Sequence, residues 1–126
     1  MTPLDDLVAF TGGTFLDEAA GAAFIAAQGP RILIFPGIEK RRPEAQDVAV
    51  IMREFLRLYG GQLRAGVLSG RAEDRLKTGL GVVVLPSVVL FGEGPPHVLP
   101  RVQDWVVYRD AFIAAFGPPP SSSIAA

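Results

Sequence analysis

Two unbroken apolar runs constrain the fold of this chain more than any other feature. Ile32, Leu33, Ile34 and Phe35 follow one another with no polar residue between them, and so do Val88, Val89, Leu90 and Phe91. A strand with one face in water alternates apolar and polar side chains. A continuous run of this length fits a strand covered on both faces, as in a layered α/β domain. The first run reads as a central parallel strand over Arg31–Pro36, and the second as a strand over Ser87–Phe91. The chain of 126 residues is 49% hydrophobic and 20% charged, the balance of one packed domain.

Helical patterns alternate with these runs. Pro3–Phe10 places Leu4, Leu7 and Val8 on one side, and Thr11-Gly12-Gly13 stops it. Thr14–Leu16 reads as a short strand. Asp17 serves as N-cap for a helix to Gln28, which Gly21 weakens. Pro43 opens a long helix to about Tyr59, with Val48, Ile51, Met52, Phe55, Leu58 and Tyr59 on a core-facing stripe. Gln62–Ser69 is a further strand, and Arg71–Thr78 a short charged helix ended by Gly79. His97–Val102 suits an edge strand because Pro100 withholds a ladder donor. Asp104 caps a last helix to Phe116, with Trp105, Tyr108 and Phe112 turned to the core. The expected domain covers 1–116, and the Pro/Ser-rich stretch 117–126 is expected to be a disordered tail.

Composition removes whole classes of chemistry. The chain has no cysteine, which excludes disulfides, thiolate metal sites and dithiol exchange, and its one histidine, His97, excludes a two-histidine metal site. A formal charge of −1 excludes the basic footprint of a dedicated nucleic-acid binder. Asp5, Asp6, Asp17 and Glu18 precede the first Lys or Arg, the reverse of a signal peptide, and no apolar run is long enough to insert in a membrane. A cytoplasmic protein without a cofactor is the resulting expectation. A triad of His97 with Ser69 or Ser87 lacks the Gly-x-Ser-x-Gly elbow, and the glycines match no phosphate-binding loop.

The most distinctive motif runs Gly81, Pro86-Ser87, Phe91 and Gly94, between the short charged helix and the terminal strand pair. In this order of elements it resembles the second half of the thioredoxin fold. That implies an α/β thioredoxin-like domain with a central mixed sheet of four to five strands flanked by helices. It also implies that Pro86 is the cis-proline of the family's peptide-facing loop. The chain departs from thioredoxins where their chemistry resides. Glu39-Lys40-Arg41-Arg42-Pro43-Glu44 occupies the stretch of the Cys-x-x-Cys motif, and Ile34 replaces a buried aspartate.

Lys40-Arg41-Arg42-Pro43-Glu44, the helix through Phe55, Leu85-Pro86-Ser87 and Phe91 are together similar to the HyaE/HupG/HoxO family of hydrogenase expression/formation proteins. The resemblance implies a non-catalytic accessory chaperone for [NiFe] hydrogenase maturation. Its partner would be the hydrogenase small subunit precursor with its twin-arginine signal peptide. The implied binding loop contains Val84, Leu85, Pro86 and Ser87, where the backbone of Leu85 would pair with an extended peptide and Ile38 and Val84 would form apolar walls. Lys40, Arg41 and Arg42 are candidate contacts for an anionic partner, although a solvated loop accounts for them more simply. The acids near the start are candidates for a basic segment, although caps and helix dipoles account for them too. A different reading is a redox-inactive structural or interaction subunit of another complex, which includes self-association into a homo-oligomer.

Overall fold

A computed structural model describes residues 2–37 and 42–120. Four strands form one mixed sheet: β1 (Arg31–Phe35), β2 (Arg64–Val67), β3 (Ser87–Phe91) and β4 (His97–Pro100), in the order β2-β1-β3-β4. The helices are α1 (Pro3–Phe10), α2 (Glu18–Ala26), α3 (Pro43–Leu58), α4 (Gly70–Leu80) and α5 (Trp105–Phe116). Among the described residues, no helix is long and apolar enough to cross a membrane. β1 runs parallel to β2 and antiparallel to β3, so the expected central parallel strand is parallel on one side only.

The apolar runs are continuous because both faces are covered. Ile32, Ile34, Val88 and Leu90 point into a core with α1, α3 and α5, and Leu33, Phe35, Val89 and Phe91 into a second core with α2 and α4. Alternation along each strand divides these side chains between the two layers. In the first layer Phe55 lies between Trp105 and Phe112, with ring centroids 4.4 and 4.3 Å away. Trp105 keeps its other side in water and is 43% exposed, so the expectation that it is a core residue holds for one ring face only.

Several boundaries move for local reasons. Thr14–Leu16 is not a strand of the sheet: only a single bridge, Leu16 to Leu68, attaches it to the end of β2. Gly79 does not end α4: the helix runs to Leu80, and Gly81, with a φ of 75°, supplies the left-handed cap. β4 stops at Pro100 because Arg101 turns to a positive φ. Gly21 has a packing reason as well as a helix cost. A Cβ there would sit 2.6 Å from Leu76 and 2.8 Å from Leu68, so its absence lets α2 lie against α4.

Three of the four acidic groups of the first thirty residues have structural partners. Asp5 completes a capping box with Thr2, Asp17 accepts the Ala20 amide at 2.8 Å, and Asp6 lies 3.5 Å from Arg53. At the other end of the described chain, the Tyr59 hydroxyl donates to the Gly117 carbonyl at 2.7 Å. Of the expected tail 117–126, residues 117–120 are described and 121–126 lie outside the described residues.

Candidate functional site

The Pro86 loop sits where β1, β3, the start of α3 and the end of β4 converge. The Leu85–Pro86 peptide is cis. Pro86 and Ser87 are buried, Leu85 is half-buried, and Val83 and Val84 are exposed, Val83 at 86%. The Ser87 hydroxyl donates to the Val84 carbonyl at 2.6 Å, so this side chain shapes the loop from within. The side chain of Leu85 packs into the α2/α4 core, and its Cβ lies 3.5 Å from where a Cβ on Gly37 would be. Neither the amide nor the carbonyl of Leu85 has a hydrogen-bond partner among the described residues. Main-chain polar groups are obligate hydrogen bonders, so this pair is open to water or to another chain.

Two charged groups that sequence patterns did not single out brace the loop and the segment beside it. Glu73, on the first turn of α4, is fully buried and its carboxylate accepts the Gly37 amide at 2.6 Å. This ties the segment leaving β1 to the second core. Arg101 holds the opposite side. Its amide donates to the Pro86 carbonyl at 2.8 Å, and its carbonyl accepts the Tyr108 hydroxyl at 3.1 Å. Its guanidinium grips both carboxylate oxygens of Glu44, with Nε to Oε2 at 2.6 Å.

The electrostatics follow from these pairings. The hydrogen bond from Arg101 holds the Glu44 carboxyl below the usual carboxylate range, helped by the charges of Arg101 and Arg42 and opposed by partial desolvation. The same hydrogen bond raises the Arg101 guanidinium. Burial pushes the Tyr108 hydroxyl up, with the hydrogen bond from the Gln103 amide acting the other way. Arg101 has a φ of 59° and is the one non-glycine residue with positive φ among the described residues. Backbone in that region is costly for a side-chain-bearing residue and persists only where surrounding contacts impose it. At Arg101 three such contacts converge.

Of the residues expected at the site, Val84, Leu85, Pro86 and Ser87 lie together. Ile38, Lys40 and Arg41 lie outside the described residues. Arg42 is exposed at the start of α3, and no side chain caps that helix. The hydrolytic alternative has no geometry. Ser69 caps α4, Ser87 is buried, and His97 pairs with Leu90 at the far end of the β3–β4 ladder. No group of three or more His, Asp or Glu is placed to hold a metal among the described residues.

A groove of about 800 Å³ lies at the opposite end of the sheet, between the loop after α2, the β3–β4 turn and the last turn of α5. The buried Arg31 lines it. Its guanidinium donates to the carbonyls of Phe24, Ile25 and Gly29 and lies 4.7 Å above the Phe91 ring. Arg31 therefore closes the C-terminal end of α2.

A mixed four-stranded sheet between two helical layers, with a cis-proline opening β3 and no cysteine, defines a thioredoxin-like scaffold without dithiol chemistry. The structure matches a mutant thioredoxin from Halobacterium salinarum NRC-1 with a TM-score of 0.62 at 13% identity, over 80% of this chain and 87% of that one. That is a likeness of fold alone. Residues 4–108 match the family model described as Hydrogenase-1 expression protein HyaE, and the chain belongs to that family. It is 33% identical to a hydrogenase expression/formation protein HupG of Bradyrhizobium diazoefficiens, over 97% of this chain and 80% of that protein. It is 38% identical to the HupG of Rhizobium leguminosarum bv. viciae, over 82% of this chain and 67% of that protein. A crystal structure of a protein described as HupG from Rhodopseudomonas palustris CGA009 is 35% identical, with a TM-score of 0.53, and the match covers 81% of this chain and 93% of that one.

Proposed function

We propose that this protein is a non-catalytic accessory factor in [NiFe] hydrogenase maturation. It would hold an extended segment of the small subunit precursor, including its twin-arginine signal peptide, against the Pro86 loop. The observation that carries this reading is the unpaired amide and carbonyl of Leu85, flanked by the exposed Val83 and Val84 on a loop pinned from both sides. An extended peptide can add its own backbone to such a pair, and the valines give it apolar contact. The names of the relatives support a role in hydrogenase biogenesis. The lack of cysteine in the chain favours binding over dithiol exchange as the use of the scaffold.

Magnitudes fit a holding role. Two backbone hydrogen bonds contribute about 1 kcal/mol each, and burial of each valine about 1.5 kcal/mol. Ordering both partners offsets a large part of that, which leaves a grip that releases when assembly proceeds.

The test is a pull-down from hydrogenase-expressing cells with the tagged protein. The small subunit precursor should be recovered, and Val84→Asp should reduce its recovery about tenfold while leaving the fold intact. Recovery of unrelated proteins alone, or of nothing, would count against the reading.

A further inference from the structure

The outward face of α5 carries a pattern unrelated to the Pro86 loop. Tyr108, Ala111 and Phe112 form its buried side. On the opposite side Val106, Arg109, Asp110 and Ile113 form one stripe, at the spacings that place helical side chains next to one another. Val106 is 50% exposed and Ile113 41% exposed. Arg109 and Asp110 touch at 3.0 Å, yet their side chains remain 52% and 63% exposed. Arg109 donates twice to Oδ1 of Asp110, at 3.1 and 3.0 Å, so the pair is joined within one copy and its exposed outer side is what a second copy can meet.

The stripe is its own complement. A two-fold axis passing between Arg109 and Asp110, with a second α5 lying antiparallel, sets Val106 of each copy against Ile113 of the other. The same operation sets Arg109 of each copy against Asp110 of the other. A closed two-fold interface requires this match of every position to its mirror position, and an unrelated partner would impose no such condition. We infer that the outer face of α5 is a self-association surface, occupied by the same face of a second copy of this chain. Four side chains per copy make a small interface, so the dimer is weak and its association depends on concentration and salt.

Sedimentation equilibrium on the full chain tests this from micromolar to millimolar protein. A reversible monomer–dimer equilibrium is expected. Ile113→Glu should weaken it about tenfold, because Ile113 is exposed and packs against Val106 of the other copy. Arg109→Asp should do the same by setting two acids against each other, and the double change R109D/D110R should restore association to within about threefold of the unaltered chain. Circular dichroism confirms that each variant is folded. A monomer at every concentration would overturn the inference. So would a dimer that ignores Ile113→Glu and Arg109→Asp, or a folded double variant that fails to recover.

Discussion

Two arginines at opposite ends of the same sheet are used in opposite ways. Arg31 is buried at the start of β1, and its guanidinium bonds three backbone carbonyls at the end of α2. Arg101 is exposed just after β4. It holds a carboxylate and a strained backbone turn, and it supports the Pro86 loop. A buried cation that satisfies main-chain acceptors is part of the framework, and removing it leaves those acceptors unpaired. An exposed cation paired with a carboxylate contributes little to stability. Its importance lies in where it puts the neighbouring backbone. At one end Arg31 closes off the main-chain acceptors beside the groove, and the other end presents open hydrogen-bonding groups.

The largest expected effect lies at the closed end. Arg31→Met should cost about 3 kcal/mol in urea unfolding, because it strips three carbonyls of their donor. The folded fraction should bind peptide at the Pro86 loop as before. If this change altered binding and left stability untouched, the contrast between the ends would collapse.

Next comes the contact that ties the segment leaving β1, beside the loop, to the second core. Glu73→Gln keeps a neutral acceptor for the Gly37 amide but loses the charge-assisted bond, at about 1–2 kcal/mol. Hydrogen exchange at Gly37 should speed up in step with the loss of stability.

At the open end the changes are smaller and concern conformation. Arg101→Gly should unfold at higher urea than Arg101→Ala, since only glycine occupies a φ of 59° without a Cβ penalty. Equal midpoints would show that the turn is unstrained.

The smallest effect is a pH dependence. The folded-state carboxyl of Glu44 is lowered, so its contribution is present above the ordinary carboxylate range and is lost as pH falls through the folded value. The unaltered protein should therefore exceed Glu44→Gln in stability at neutral pH, with the gap shrinking below that range and in high salt. A gap that grew on acidification would reverse the sign of the pairing.

Much of this architecture was legible in the residues because burial imposes a pattern. Ser87–Phe91 and the start of α3 at Pro43 match expectation to the residue, since two covered faces and a first-turn proline leave distinct marks. Pro86 was legible only through the resemblance to the thioredoxin order of elements, since an X-Pro pair between a short helix and an apolar run does not by itself signal a cis bond. Arg101 left no such mark. Positive φ is signalled by Gly or Asn, and here three tertiary contacts impose it on an arginine, so the residues alone extend the edge strand to Val102. Glu73 looked like one more charge on a polar helix, because nothing local shows that its side of α4 meets the segment leaving β1. The inward side of α5 was legible from Tyr108 and Phe112, but the exposure of Val106 and Ile113 on its other side was not, because a helical pattern does not show whether a neighbouring element covers an apolar residue.

The most direct measurement is an amide chemical-shift titration of the full protein with a peptide spanning the signal segment of the hydrogenase small subunit precursor. The largest shifts should fall on Val83, Val84, Leu85 and Ser87, with slowed exchange of the Leu85 amide as it gains a partner. Gly92, Glu93 and the last turn of α5, at the Arg31 end, should stay still. Shifts confined to that far end, or none at saturating peptide, would contradict the account.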